Sequence, residues 1–381
     1  MRFTEFSGEW KEELLDRIAT LSKGIGIPKE QLSEDGDPCI LYGELYTKYK
    51  SEIIKQVESK TDIDGSKLKR SKANDVIIPC SGETAVDIAT ARCVPFDSIL
   101  LGGDLNVISL HKYDGAFMSY QLNGKRKYDS ARVAQGVSVV HLYGEHLKTI
   151  KTYNPTLPEQ QKIAILLSLL DERIATQNKI IEDLKKLKCA IIEKLYSKIQ
   201  GKEYSYGQLF DVVNERNKQM EYYNILSASQ EKGMVNRDDL NLDIQFERSN
   251  INTYKIVRKG DYVIHLRSFQ GGFAFSDKLG VCSPAYTILR PNSLLEYSYL
   301  SYYFTSQRFI KSLIIVTYGI RDGRSINVEE WLNMKVVIPS KEHQLHTLNV
   351  LKRIDDKVEN EEKYATCLSN QKQYLLRQMF I

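Results

Sequence analysis

The 381-residue sequence lacks most of the marks of a specialised chemistry. Its net charge is only +4, which permits nucleic-acid binding without arguing for it, since dedicated binders are often far more basic. No run of eighteen apolar residues occurs, so no membrane-spanning helix is expected. The opening "MRFTEFSGEWKEELL" has no basic flank followed by an apolar stretch, and a secretory signal is not expected. Six cysteines (39, 80, 93, 189, 282 and 367) are scattered, with no close pair that resembles a zinc knuckle or redox motif. They are read as free thiols in a reducing compartment, which predicts a cytoplasmic protein. Neither a G-x-S-x-G elbow nor a G-x-x-x-x-G-K-[ST] loop is present, and the lone glycine pair of "GIGIP" at Gly24 is too weak for a dinucleotide site.

What is present is helix. After Pro155 and Pro158, which suit a helix entrance because first-turn N–H groups have no intrahelical partner, no glycine or proline follows until Gly201. Ile163, Leu167, Leu170, Ile174, Gln177, Ile181, Leu184, Lys188, Ile191 and Leu195 alternate at spacings of four and three, a heptad seam with polar breaks at Gln177 and Lys188. Roughly forty residues at about 1.5 Å each make a rod of about 60 Å. Such a stripe needs a partner.

A second copy ends the chain. Shifted by 184 residues (Pro155 onto Pro339), Gln160, Leu167, Asp171, Lys179, Leu184 and Lys188 fall on Gln344, Leu351, Asp355, Lys363, Leu368 and Lys372 without a gap. The seam recurs as Leu351, Ile354, Val358, Glu361, Ala365, Leu368, Lys372, Leu375 and Met379, with Thr347 opposite Ile163 as its one departure. Polar seam positions can fix register at some cost in stability. The repeat sets a plan of globular unit (1–153), long helix (154–200), globular unit (201–337), long helix (338–381). Alternating β-branched and aromatic residues predict strands near 39–46, 76–80, 104–110, 262–266 and 285–289, with short helices at 10–22, 47–59 and 297–312. "DVIIPCSGETAVDIA" from Asp75 and "DYVIHLRSFQGGFAF" from Asp261 match in placement. Each unit is therefore read as α+β, in a pseudo-twofold internal repeat. The 23 tyrosines suit interfaces and base stacking, but in alternating segments more often fill sheets.

The arrangement resembles the specificity subunit of type I restriction–modification systems. "LPEQQKIAILLSLLDERI" with "LKKLKCAIIEKL", "LRSFQGGFAF" with "GVCSPAYTIL", and the openings "RFTEFSGEW" and "ILYGELYTKY" carry that resemblance across essentially the whole chain. The distal helix diverges, with Glu342 and His343 in place of Pro158 and Glu159. The resemblance implies two α/β target-recognition domains separated by two long helices packed as an antiparallel coiled coil. Each domain is expected to read one half of a bipartite, asymmetric site on double-stranded DNA, the helices setting the gap between the halves. The implied partners are two methylase subunits and, through them, restriction subunits. Unlike domains on a rod of about 60 Å can address sites more than one helical turn (about 34–36 Å) apart.

DNA reading needs cations for phosphates and side chains at base edges. In the first unit the candidates are Lys67, Lys69 and Arg70 of "SKLKRSK", Lys125, Arg126, Lys127 and Arg132 of "NGKRKYDSAR", and Ser81 and Thr84 of "CSGET". Solvated basic loops and an ordinary strand-ending turn are the bland readings. In the second unit they are Arg267, Ser268 and Gln270 of "HLRSFQGGF" and Tyr318, Arg321 and Arg324 of "TYGIRDGRS". Arg pairs bidentately with guanine and Gln with adenine. The helix faces around Glu159, Gln160 and Lys162, and around Lys185 and Lys186, are expected to be exposed and to dock partner subunits.

Catalysis is expected elsewhere. Methylases of this system need a glycine-rich cofactor motif and an Asn-Pro-Pro-aromatic loop, and the chain has neither. No cofactor is expected on this chain, and S-adenosylmethionine is expected on the partner methylase, which would flip the base. Two other classes stay open at this point. Glu58 and Lys60 have the E-x-K spacing of metal-dependent nucleases, but no Pro-Asp dipeptide accompanies them, and a surface helix face is the expected setting. His343 and His346 have no third ligand nearby and are read as surface residues. A coiled-coil scaffold that binds only protein is the other alternative.

Overall fold

The computed structural model describes residues 2–136, 139–229, 232–240, 248–265, 272–318 and 325–380. The chain forms two compact units, unit 1 from residues 1–179 and 362–381 and unit 2 from 180–361. Both cuts fall inside long helices, the central helix Leu157–Ser197 and the distal helix Lys341–Gln378. The order along the chain is therefore not the order of packing. Each unit combines a globular domain, the first half of the helix that follows it and the last half of the other helix.

Within each unit the chain builds the same frame. Unit 1 contains an antiparallel sheet ordered Ala19–Lys23, Leu105–Leu110, Asp75–Pro79, Arg92–Val94. Unit 2 repeats it as Phe210–Val213, Thr287–Pro291, Tyr262–Ile264, Phe273–Phe275. A two-stranded ribbon gathers entry and exit in both, Lys11–Leu14 with Lys151–Asn154 and Lys202–Ser205 with Lys335–Ile338. The exit strand leads into the long helix each time. Asp75 and Asp261 cap the same turn, their Oδ2 atoms accepting the N–H of Lys72 and of Arg258 at 2.8 Å. Unit 1 adds a five-stranded sheet that includes Asp37–Ile40 and Ser59–Thr61.

The strands expected near 76–80, 104–110 and 285–289 form, as do helices Tyr299–Tyr303 and Gln307–Ser312. The expected helix at 10–22 does not. Its Leu15–Ile18 turn is helical, but the flanks are strands with distant partners, at 151–154 and 106–110. Nor does 47–59 form a helix. The helical turn is Glu44–Thr47, and the strand expected at 39–46 stops at Ile40. Glu58 and Lys60 are accordingly exposed beside and within the strand Ser59–Thr61, not on a helix.

Each unit closes on a core of its own. Unit 1 buries Val76, Ile78, Ile108, Met118 and Leu122 under its four-stranded sheet. Unit 2 is aromatic, with Tyr206 stacked on Trp331 at 4.2 Å between ring centres and Phe273, Phe304 and Phe309 around them. Its tyrosines thus serve mainly as core. All six cysteines are free thiols, buried except Cys189 and Cys367.

The helix seams are buried as the heptads require. In unit 1 the helix segments run antiparallel, Ile163 and Leu167 packing with Leu376 and Met379. The polar seam position Lys372 of the distal helix lies 2.5 Å from Asp171 of the central helix and 2.5 Å from Glu52. Tyr120 donates its hydroxyl to Asp171 at 2.7 Å and offers its ring to Lys372 at 5.8 Å. Unit 2 holds the same set with the helices exchanged. Lys188 pairs with Asp355, Tyr302 donates to Asp355 at 2.7 Å, and Lys188 sits 5.3 Å from the Tyr302 ring. The repeated Asp and Lys of the sequence are thus partners across helices. Lys372 is 11% exposed and Lys188 28%.

A buried glutamine fixes each helix entrance. Gln160 accepts the Asp114 N–H at 2.9 Å and donates to the Pro155 carbonyl at 2.8 Å. Gln344 accepts the Glu296 N–H at 2.8 Å and donates to the Pro339 and Leu294 carbonyls.

Removing one member of a buried ion pair typically costs about 3–5 kcal/mol, whereas a part-exposed pair contributes about 1 kcal/mol or less. Lys372→Met is therefore expected to destabilise unit 1 several-fold more than Lys188→Met destabilises unit 2, read as loss of hydrogen-exchange protection in each unit. Equal losses would contradict the unequal burial. Gln160→Leu leaves the Asp114 amide without its acceptor, and about 1–3 kcal/mol of protection is expected to be lost at residues 114–120. Unchanged exchange there would show that the amide finds another partner.

Candidate nucleic-acid interface

In unit 1 a buried arginine lies inside a strand. Arg92 stands opposite Ile77 in the sheet and is 9% exposed. Its guanidinium donates to three carbonyls, those of Ala91 at 3.0 Å, Tyr49 at 3.1 Å and Leu45 at 3.5 Å. No carboxylate among the described residues forms an ion pair with it. Burial lowers its pKa, and the fields of Glu52 and Asp171 oppose that fall. Arginine stays charged in such settings, so the cation is held in place by direct hydrogen bonds to backbone carbonyls, with the two carboxylates acting at longer range.

Two clefts share Thr90 and Arg92. One, of about 730 Å³, is lined by Tyr42, Tyr46, Ser81 and Gly82. The other, of about 500 Å³, is lined by Lys50, Lys125, Lys127 and Arg377. Asn123 ties the lysine-bearing turn to the Arg92 strand, its side chain accepting the Ala91 N–H and donating to the Ala91 carbonyl, both at 2.8 Å. Lys127 is half-buried, and its pKa is lowered by that burial and, next, by Arg92. Two of the basic and turn segments singled out in the sequence therefore meet at Arg92, which sequence reading missed. The signal was a single arginine inside the apolar "IATARCVPF".

Other candidates have structural employment. Ser81 lines the larger cleft and donates to Asp104 at 3.2 Å. Thr84 caps the helical turn Ala85–Ile88, its Oγ1 accepting the Asp87 N–H at 3.1 Å and donating to the Asp87 carboxylate at 2.6 Å. Arg126 is turned inward against Asp129 at 3.0 Å and lies 5.2 Å from the Tyr153 ring. Arg132 is 81% exposed and 3.8 Å from the same Asp129. Lys67, Lys69 and Arg70 line neither cleft; Arg70 pairs with Asp37 at 2.6 Å, and Lys69 lies with it in the strand Lys69–Arg70.

In unit 2, Arg267, Ser268, Gln270, Arg321 and Arg324 lie outside the described residues. Tyr318 is exposed in the strand Thr317–Tyr318, and its hydroxyl donates to Glu330 at 2.7 Å. A cleft of about 400 Å³ is lined by Ser227, Arg237, Tyr254, His265 and Tyr286. With Asp75 and Asp261 aligned, the register places Ala274 opposite Val263 where unit 1 has Arg92 opposite Ile77. The frame repeats, and at this register position the charge does not.

The helix faces differ from expectation at the entrance of the central helix. Glu159 is fully buried and held bidentately by Arg2, both contacts 2.7 Å, and Gln160 is the buried anchor described above. Neither side chain is on the exposed face foreseen for docking, because each satisfies a polar group of its own chain. Lys162 is half-exposed beside Glu5, 4.8 Å from the Phe3 ring. Lys185 and Lys186 are exposed, and Lys186 pairs with Glu182 at 2.6 Å. His343 and His346 are exposed at the start of the distal helix. Ile165, Leu166 and Leu169 are exposed large apolar residues on the central helix.

Comparison with known proteins agrees with this architecture. Residues 8–186 match the family described as type I restriction modification DNA specificity domain. The type I restriction enzyme MjaVIII specificity subunit of Methanocaldococcus jannaschii is 25% identical over 324 residues, spanning 76% of this chain and 74% of that protein. The type I restriction–modification S subunit from M. genitalium shares the fold over 100% of this chain and 99% of its own, at 17% identity and TM-score 0.56. A chain from a study of assembly and conformational transition in a type I restriction–modification system does so over 98% and 97%, at 14% identity and TM-score 0.63. No helix among the described residues is long and apolar enough to cross a membrane. Residues 8–186 thus match the type I restriction modification DNA specificity domain, and the chain as a whole is similar to a type I specificity subunit over about three quarters of its length and shares the fold of a type I S subunit.

Proposed function

We propose that this chain is the DNA-reading subunit of a type I restriction–modification complex, which recognises a split, asymmetric site and brings a methylase to it. The observation that carries the reading is the repeated frame with unlike contact surfaces. Strand order, capping aspartate, glutamine anchor and Asp–Lys–Tyr set occur twice, while the cleft built on Arg92 occurs in unit 1 and its register position in unit 2 is Ala274. Two frames of one design with different side chains suit a bipartite site whose halves differ.

In this reading the chain itself performs no bond chemistry. Lys125, Lys127 and Arg92 hold phosphates in unit 1, and residues lining the clefts approach base edges, with Gly82 sparing room beside the Tyr46 hydroxyl, which a Cβ would meet at 3.0 Å. Methyl transfer and S-adenosylmethionine belong to the partner methylase, two copies of which are proposed to dock on the long helices, with the restriction subunits joined through them. The face carrying Lys162, Ile165, Leu166 and Leu169, not Glu159 and Gln160, is the docking surface this reading favours.

Long-read methylation mapping of the host genome with and without the gene tests the assignment. A split, asymmetric methyl-adenine motif is expected to vanish on deletion, and an unchanged methylome with the methylase intact would refute it. A second expectation separates contact from scaffold. Lys125→Gln in the assembled complex is expected to weaken binding to all duplexes alike and to lower the slope of log affinity against log salt by about 1. Thr84→Ala, which removes a helix cap, is expected to cost about 1 kcal/mol of stability and leave that slope unchanged.

A further inference from the structure

The smaller cleft of unit 1 has an unusual charge balance. Five cations line it: Lys50, Arg92, Lys125, Lys127 and Arg377. None of the five forms an ion pair with a carboxylate among the described residues. The one carboxylate on the lining, Glu52, is committed to Lys372 at 2.5 Å. Like charges crowded into a concavity repel, and the fields of Glu52 and Asp171 at Arg92 and of Asp87 and Glu52 at Lys127 oppose that repulsion without a direct ion pair. Proteins that keep such an arrangement use it for an anion.

The cleft is also built, not accidental. Arg92 is buried and oriented by three carbonyls, and Asn123 clamps the turn before Lys125 and Lys127 onto the same strand. The distal helix supplies the remaining wall with Gln373, Leu376 and Arg377. It comes close because Gly124 has no side chain there, where a Cβ would lie 3.0 Å from the Tyr120 carbonyl oxygen and 3.2 Å from that of Leu376. Lysine and arginine around a pocket of about 500 Å³, with the exposed ring of Tyr128 among its lining residues, match a phosphate group better than a carboxylic acid deep in an apolar hole.

We propose that Lys50, Arg92, Lys125, Lys127 and Arg377 form a phosphate-binding site completed by the last turns of the distal helix. Its assignment to a phosphate of the DNA backbone rests on the function proposed above; the site's phosphate chemistry does not. The consequence is that the distal helix, which supplies the seam of unit 1, also supplies part of the ligand site. Arg377 is then a contact residue, although it lies some two hundred residues or more from every other cation of the cleft.

Two arms distinguish the sources of phosphate. Full-length chain is titrated with a labelled duplex across a salt series, and separately with inorganic pyrophosphate by calorimetry. Lys127→Gln and Arg377→Gln are compared with wild type and with Lys11→Gln, which removes an exposed charge outside the cleft. Melting curves confirm that each variant is folded. The expected result is duplex binding weakened about tenfold in both cleft variants, a salt slope lower by about 1, pyrophosphate competing with duplex on wild type, and Lys11→Gln unaffected. Pyrophosphate binding lost in both variants with duplex affinity unchanged would support the phosphate site and overturn its assignment to DNA. Unchanged duplex binding together with no pyrophosphate binding would overturn the site while leaving the proposed function intact. If wild type binds no duplex, that function is in doubt, and the pyrophosphate arm decides the cleft alone: binding lost in the variants supports it, absence of binding refutes it.

Discussion

The Asp–Lys pair exchanged between the long helices is the interaction on which the fold depends. Each helix carries an aspartate and a seam lysine at repeated positions, and each of these pairs with its opposite on the other helix. In unit 1 the pair is nearly dry, joined by Glu52 and by the Tyr120 hydroxyl. Burying charge is costly unless the geometry and the surrounding hydrogen bonds are complete. The site therefore tolerates the arriving helix in one arrangement and penalises others. It also delays closure. Unit 1 lacks residues 362–381 until the end of the chain is present, so its seam forms only through contacts of very long sequence separation.

Duplication explains why the two frames agree where they do. The shared features are buried polar groups with complete partners: Asp75 and Asp261 on their turns, and Gln160 and Gln344 on the amides of Asp114 and Glu296. Replacing either partner leaves a donor or acceptor stranded, which makes such positions slow to drift. Positions outside this shared set can carry different residues in the two units. Arg92 in one unit and Ala274 at the matching register in the other show how far a strand residue can diverge without disturbing the sheet.

What the sequence disclosed follows the same division. The long helices were legible because their seams repeat locally every three or four residues and then again at a fixed offset. The short elements at 10–22 were not. "KEELLDRIATLSK" spaces Leu14, Leu15, Ile18 and Leu21 like a helix, but its strands answer to Lys151–Asn154 and Leu105–Leu110, contacts no local pattern encodes. Glu159 and Gln160 read from the sequence as part of an exposed, partner-docking helix face, and such residue types are usually exposed. Their burial depends on Arg2 and on the Asp114 amide, distant partners that confer no spacing signal. Lysines of the "NGKRK" turn were visible as charge, whereas the meeting of Lys127 with Arg92 and Arg377 is a product of tertiary structure alone.

The placement of polar residues in the seams has a further reason in geometry. An apolar heptad stripe can slide by one repeat and still bury leucine on leucine. The intervals between the charged residues remove that freedom. Asp171 precedes Lys188 by 188 − 171 = 17 residues, and Asp355 precedes Lys372 by 372 − 355 = 17. In antiparallel segments, equal intervals let Asp171 meet Lys372 and Lys188 meet Asp355 in the same register. A slip of one heptad within unit 1 would take Lys372 away from Glu52 and Asp171. Hydrophobic residues hold the helices together, and the charges decide which residues face each other. Because Arg377 lies on the same rigid helix five residues beyond Lys372, that decision also sets which side chain reaches the cationic cleft.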